Sequence, residues 1–226
     1  MSGETSKPFL EARALGRKSP TGGWLLEGIE FSLSAGEIVA LRGPTGAGKT
    51  LLLRALALLD PIDAGSVLWH HKEVTAEAVP EFRSSVIYVA QRAALFDQTV
   101  LENLRLPFRF KIHQRRSFNQ RRIETWLGQL GHDVGFLEKR HTDLSGGEAQ
   151  IVALLRILQL DPQVVLLDEP TAALDRDSTL HVERLLSTWL AQAADRRAIV
   201  WVSHDAPQVQ RVTMREVHLK NGHLQP

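Results

Sequence analysis

Gly43-Pro44-Thr45-Gly46-Ala47-Gly48-Lys49-Thr50 matches the pattern G-x-x-x-x-G-K-[S/T] and stands between an apolar run, Ile38–Leu41, and a leucine-rich stretch beginning at Leu51. The order strand, glycine-rich loop, helix is the context in which this pattern carries chemistry. Glycines let successive backbone N–H groups turn toward one phosphate, and the N-terminus of the following helix adds its positive dipole. Lys49 would reach the β- and γ-phosphates of a nucleotide, and the Thr50 hydroxyl would ligate Mg²⁺. Gly43, Pro44, Thr45, Gly46, Ala47, Gly48, Lys49, Thr50 and Leu51 are therefore the candidate phosphate-binding residues. The bland alternative is an ordinary glycine-rich turn, against which the flanking strand and helix speak.

Outward from this loop, Phe31–Leu41 alternates apolar residues and ends in a buried-looking run, which reads as two strands joined by a turn at Ala35-Gly36. Leu51–Leu59 reads as a helix stopped by Pro61–Gly65, and Ser66–Trp69 and Ser85–Ala90 as short strands. From Gln91 to Leu144 the character changes. Leu101–Phe110, Phe118–Leu130 and Val134–Lys139 read as helices with little strand between them. Past Ser145, the residues Ile151, Leu154, Leu155 and Leu158 form one face of a helix that ends before Pro162. Val164–Leu167 and Ala198–Val202 read as apolar strands on either side of a helix over Arg176–Ala194. Short apolar strands alternating with helices predict an α/β fold whose mainly parallel sheet is covered on both faces. The expected organisation is one domain over 1–226, with a core from 1–91 and 145–226 interrupted by a helical insert at 92–144.

Composition narrows the function. A length of 226 residues suits one large or two small domains. Lys plus Arg at 27 against Asp plus Glu at 26 leaves +1, so no nucleic-acid partner held by a strongly basic surface is expected. Hydrophobic residues at 43% and charged residues at 23% are those of a globular chain, not a disordered one. The absence of cysteine excludes a disulfide scaffold, a zinc-thiolate site, an iron–sulfur cluster and a cysteine nucleophile. No run approaches the ~18 uninterrupted apolar residues of a transmembrane helix, since Arg54 and Arg156 break the best stretches. Met1–Pro8 lacks the apolar core of a secretory signal, and a soluble cytosolic chain is the expectation.

Val164-Val-Leu-Leu-Asp168-Glu169 is the second chemical motif. A buried parallel strand delivers a carboxylate at its C-terminal edge, where ligands of open α/β sheets bind. Asp168 would hold the Mg²⁺ shell, and Glu169 would polarise or deprotonate an attacking water. Read blandly, the two are an acidic pair favoured before a helix start. Leu144-Ser145-Gly146-Gly147-Glu148 is the third. A serine, two glycines and a helix N-terminus suit an anion, while Ser145 with Glu148 three residues on also suits a capping box.

Taken together these motifs resemble the nucleotide-binding subunits of ABC-type ATPases, over nearly the whole chain from Phe9 onward. The resemblance implies that Leu144–Gly147 is the signature that caps the γ-phosphate held by an opposite subunit, with Ser145, Gly146, Gly147, Glu148 and Asp175 as contacts across the dimer. It also implies that Gln91 is the Q-loop glutamine, which contacts Mg²⁺ and water, that Ala172–Asp175 is the D-loop, and that His204 is the switch histidine. Glu169, His204 and Gln91 are then the catalytic set, and Thr50, Gln91 and Asp168 the Mg²⁺ set. ATP and Mg²⁺ are the implied ligands. The implied partners are a second ATPase subunit in a head-to-tail homodimer and an integral-membrane permease, which places the chain peripherally on the cytosolic face of the inner (plasma) membrane.

The sequence departs from that family at two places. The position of the adenine-stacking aromatic is held by Ser19 or Pro20, with Trp24 nearby as a substitute or as simple strand packing, and Ile151 stands where an arginine is common. Arg105, Arg109, Lys111, Arg115, Arg116, Arg121 and Arg122 fall in a stretch without acidic residues. They suit either a solvated helical face or a surface toward an anionic leaflet and a membrane subunit. Phe96, Val100, Leu101 and Leu104 would line the groove that receives that subunit. The finer resemblance is to the small bacterial Fet-type subfamily, which implies metal (iron) export. The alternative is a soluble mechanical ABC ATPase acting on nucleic acid or ribosomes. A GTPase would carry Asn-Lys-x-Asp, which is absent, and a kinase has no use for Leu144–Glu148.

Overall fold

In a computed structural model describing residues 8–225, the apolar runs become the centre of a six-stranded sheet. In chain order the elements are β1 (Leu10–Lys18), β2 (Trp24–Leu33), β3 (Ile38–Arg42), α1 (Lys49–Leu56), β4 (Ala64–Trp69), β5 (Lys72–Glu73), α2 (Val79–Ser85) and β6 (Val86–Val89). There follow α3 (Val100–Arg105), α4 (Gln120–Gln129), α5 (Gly146–Leu158), β7 (Val164–Asp168), α6 (Arg176–Ala191), β8 (Ala198–Val202), α7 (Ala206–Val212), β9 (Arg215–Lys220) and β10 (His223–Gln225), with short 3-10 turns between α3 and α5. The central sheet runs β10-β9-β3-β8-β7-β6, parallel except for the edge strand β10. A second, antiparallel sheet runs β2-β1-β4-β5.

Alternation along the central strands divides the interior in two. Val164, Leu166, Val200 and Val202 point into a core shared with Leu52, Leu53 and Leu56 of α1 and with the antiparallel sheet. Val165, Leu167, Ile199 and Trp201 point the other way, into a core shared with α3, α4, α5 and α6. Successive strand residues face opposite sides, so a strand buried on both faces must be apolar throughout. Each such aliphatic side chain contributes roughly 1.5–3 kcal/mol by leaving water. Among the described residues no helix is long and apolar enough to cross a membrane.

Several predicted elements shift for local reasons. The two strands around Ala35-Gly36 exist, but β2 and β3 lie in different sheets, so the turn carries the chain between layers. The helix expected over Leu101–Phe110 breaks into α3 and a 3-10 turn at Leu106–Arg109, because Pro107 has no N–H to continue the ladder. Val134–Glu138 is 3-10 rather than α, and Ser85 ends α2 instead of opening β6. His70 and His71 both adopt positive φ in the tight turn between β4 and β5.

Two positions carry sharp stability expectations. Gly43, with φ +149°, leaves β3 so close to β9 that an added Cβ would lie 2.1 Å from the Leu219 carbonyl oxygen. Gly43→Ala should therefore cost at least about 2 kcal/mol in urea unfolding, because backbone rather than a flexible side chain blocks the methyl. The second is Asp161, which follows α5 and accepts hydrogen bonds from Arg196 (2.8 Å) and from Arg197. Burial pulls its carboxyl up, but the two guanidinium groups outweigh this and hold it below the usual range. A carboxylate depressed in the folded state stabilises above its unfolded pKa, and the contribution is lost as pH falls through the folded value. Arg197 is only 7% exposed, so Asp161→Asn leaves a nearly buried cation short of its partner. We expect a loss of about 2 kcal/mol near neutral pH and a shallower fall in stability toward acid.

Candidate active site

Because β3, β6, β7 and β8 are parallel, their C-terminal ends emerge on one edge of the sheet. The glycine-rich loop follows β3, Gln91 follows β6, Asp168 ends β7 with Glu169 next, and His204 follows β8. Residues scattered over more than half the chain thus meet where open α/β sheets bind ligands. A cavity of about 430 Å³ at this edge is lined by Thr45, Gly46, Gly48, Lys49, Thr50, Leu51, Arg54, Asp60, Gln91, Asp168, Glu169 and His204.

The loop residues divide by task. Six of the nine predicted ones line the cavity, while the Gly43 and Pro44 carbonyls accept the Lys49 ammonium at 2.8 and 3.1 Å. Ala47 turns into the core beside α1. Lys49 is 8% exposed, and burial lowers its pKa against the opposing pull of Glu169 and Asp168. The first N–H groups of α1 have no partner inside the helix, no side chain caps them from Gly48, and Gly48, Lys49 and Thr50 all line the cavity.

Two carboxylates hold the rest of the site. The Thr50 hydroxyl donates to Asp168 Oδ2 at 2.7 Å, and the Tyr88 hydroxyl donates to the same oxygen at 3.0 Å. Burial first, then the Asp168 charge, push the Tyr88 phenol well above its ordinary value, so it remains a donor. Glu169 accepts from Gln91 Nε2 at 2.8 Å through Oε2, and its Oε1 lies 3.0 Å from His204 Nε2. Its own backbone sits at φ +51°, a strained conformation for a residue with a side chain, anchored by its N–H on the Val202 carbonyl. A hydroxyl beside a buried carboxylate, with a glutamine amide in the same cavity, is the hard-oxygen donor set that suits Mg²⁺. The buried ammonium and the open N–H groups suit a polyphosphate.

Ser145, Gly146, Gly147, Glu148 and Asp175 do not line that cavity. Ser145 and Glu148 form a reciprocal capping box at the start of α5, and Lys139 donates to Glu148 at 2.7 Å. Gly147 packs so tightly on the segment 173–174 that an added Cβ would lie 2.8 Å from the Ala173 carbonyl oxygen. Asp175 caps α6 through Ser178. A second cavity, of about 670 Å³, adjoins the first at Glu169 and His204 and runs between this segment and α7.

Sequence reading missed the residues that connect these loops. Tyr88 is one. Gln150, buried on α5, donates to the Ala90 carbonyl next to Gln91, and Arg156 donates to Ala94, bolting α5 to the segment that follows β6. Gln208 joins Thr171, two residues after Glu169, to Glu183 on α6. A polar residue among apolar ones on a helix, such as Gln150 between Ala149 and Ile151, is the only signal the sequence offers for such ties.

Other expectations change. Of the predicted groove lining, Val100 and Leu104 are buried in the core, Leu101 is half-buried against it, and Phe96, 57% exposed, faces outward. Arg116 and Arg122 donate to the Leu160 and Gln159 carbonyls beyond α5, and Arg105 stacks on Phe118. Arg105, Arg109, Lys111, Arg115, Arg116 and Arg121 are nonetheless exposed, and Arg122 is half-buried. Trp24 opens β2, 41% exposed, with its ring against Gly16 and the Lys18 ammonium 4.7 Å from its centre. Ile151 lies in the core.

With this geometry in place, comparison with known proteins is direct. The sequence profile of the ABC transporter family matches residues 26–172. The sulfate/thiosulfate import ATP-binding protein CysA of Methylococcus capsulatus is 38% identical over 207 residues, which span 88% of this chain and 57% of that protein. The chain thus spans little more than half the length of that relative. The probable iron export ATP-binding protein FetA of Escherichia coli is 34% identical over 185 residues, 82% of this chain and 80% of that protein. Among solved structures, the dimeric bacterial ABC transporter cassette MJ0796 superposes with a TM-score of 0.83 at 26% identity, over 96% of this chain and 97% of that one.

Proposed function

Because this chain belongs to the ABC transporter family, we propose that it is the ATP-binding and ATP-hydrolysing subunit of a transporter, working as a head-to-tail dimer beneath a membrane permease. The observation that carries this reading is the meeting of Lys49, Thr50, Gln91, Asp168, Glu169 and His204 around one cavity. The phosphate loop and Lys49 bind the triphosphate. Thr50, Asp168 and Gln91 would hold Mg²⁺, which would neutralise negative charge on the triphosphate. Glu169 takes the proton of the attacking water, with His204 and Gln91 orienting its two oxygens.

The exclusion of Ser145–Glu148 from that cavity supports the dimer. One chain holds a phosphate loop and a signature on separate surfaces, and a two-fold arrangement brings each signature to the partner's loop. Ser145 and the N–H groups of Gly146 and Gly147 then face the γ-phosphate, with Glu148 holding the cap and Asp175 at the crossing between subunits. Loss of that phosphate removes the contacts and lets the dimer open.

The permease docks on segment 92–144, with Phe96 and the outward basic residues supporting that placement. The finer cargo reading is iron export, supported by the match along 80% of FetA; the import role in the name of CysA stands against it. Co-purification from detergent-solubilised membranes in Mg-ATP tests the reading. A single polytopic membrane protein is the expected partner, and its family discriminates export from import. Recovery of ribosomal or DNA-bound proteins instead would overturn the transporter reading in favour of a mechanical ATPase.

A further inference from the structure

We propose that Tyr88 is a positioning residue for the Mg²⁺ site, its hydroxyl fixing the orientation of the Asp168 carboxylate. The inference rests on the ATP and Mg²⁺ reading above and adds a residue to it.

The geometry follows from strand register. Tyr88 on β6 pairs with Leu166 on β7, and Asp168 lies two residues further along β7, on the same face as Leu166. The long phenol covers that diagonal and ends 3.0 Å from Asp168 Oδ2. That oxygen also accepts the Thr50 hydroxyl at 2.7 Å, so two neutral donors from different elements set the plane of one buried carboxylate. The ring itself has a second charged neighbour. Arg54, one turn after Thr50 on α1, places its guanidinium 6.0 Å from the ring centre and is clamped by Asp60 at 2.8 and 2.7 Å. Asp60 and Arg54 line the same cavity as Lys49 and Thr50. A continuous set of contacts therefore runs from the cavity rim through Tyr88 to Asp168.

Partners that orient a metal-holding carboxylate typically alter metal affinity by 10–100-fold when removed. Tyr88 also packs half-buried against the α1-side core, so the test must separate its ring from its hydroxyl. Tyr88→Phe does so, keeping the ring. A fluorescent ATP analogue is bound to the protein, and Mg²⁺ is titrated from chelator-buffered solution. The expected result is a rise of about 10-fold in the Mg²⁺ concentration for half-maximal Mg-dependent binding. Metal-free nucleotide affinity and the unfolding midpoint should stay near the parent values. Ile87→Val, a packing change on the neighbouring residue, should leave the Mg²⁺ titration unmoved. If Tyr88→Phe titrates as the parent does, or Ile87→Val shifts the titration equally, the positioning role is overturned while the ATP reading stands. If the parent itself shows no Mg-dependent nucleotide binding, the ATP reading falls and this inference with it.

Discussion

Glu169→Gln is expected to keep ATP binding and to cut turnover by at least about 100-fold, the lower end of what a positioned general base contributes. Glu169 has one oxygen 2.8 Å from Gln91 Nε2 and the other 3.0 Å from His204 Nε2, so the carboxylate is held from both sides before any ligand arrives. A carboxamide keeps that shape but cannot accept a proton from water. The lining of the cavity by the phosphate loop is untouched, so nucleotide affinity should stay within a few-fold of the parent. Steady-state phosphate release and equilibrium binding of a fluorescent ATP analogue measure the two halves separately. Turnover within a few-fold of the parent would remove Glu169 from the chemistry and leave its strained backbone without a functional reason.

Lys49→Ala should act on the other half, weakening nucleotide binding by about 10- to 100-fold, since charge-assisted hydrogen bonds of this kind are worth roughly 1.5–3 kcal/mol. In this structure the ammonium is folded back on the Gly43 and Pro44 carbonyls, its nearest hydrogen-bond acceptors. Both belong to the loop, so an arriving phosphate offers a better acceptor a short side-chain rotation away. Burial lowers the pKa of this lysine, and an anion beside the ammonium favours its charged form. The check is the same binding titration, with the unfolding midpoint showing that the loop has kept its fold. Unchanged affinity would mean that Lys49 is a structural tie for its own loop and that the phosphates are held by N–H groups alone.

The fold was most legible where one physical signal dominated. Val164–Leu167 and Ala198–Val202 are strands buried on both faces, and a run of apolar residues bounded by polar ones identifies them with little help. The α5 pattern was legible because its apolar face repeats at helical spacing and Ser145 caps it. Legibility failed where tertiary pairing overrides local pattern. β1 contains bulges that break alternation, so Leu10–Lys18 shows no clean period. β9 and β10 mix charged with apolar residues because they lie toward one edge of the sheet. The short 3-10 turns of segment 92–144 read as helix because spacing cannot distinguish the two, and only Pro107 gave a local reason for a break.

For the site, the order of motifs named the residues, but not their partners. Asp168 and Glu169 are adjacent in sequence yet hold different company: Thr50 and Tyr88 for one, Gln91 and His204 for the other. Asp168 is the last residue of β7, whereas Glu169 has left the strand at φ +51°, and the partners of each become visible only when the neighbours of β7 are known. Likewise the stretch of basic residues looks uniform, but Arg116 and Arg122 donate to the carbonyls that follow α5, and Arg122 is half-buried. A guanidinium that closes a helix end is indistinguishable in sequence from one that faces solvent.

The central claim is that a complete site needs two chains, because Ser145–Glu148 lies outside the cavity that holds Lys49, Asp168 and Glu169. The most direct test is the solution mass of Glu169→Gln by light scattering, in Mg-ATP and in Mg-ADP. For a chain of 25.2 kDa the account predicts twice that mass in ATP and the monomer mass in ADP. It also predicts that adding Gly146→Asp, where a side chain meets nothing nearer than ordinary contact with Ala173, sets a negative charge at the start of α5 and returns the ATP sample to monomer. A sample that stays monomeric in saturating ATP, or a dimer indifferent to both nucleotide and Gly146→Asp, would contradict it.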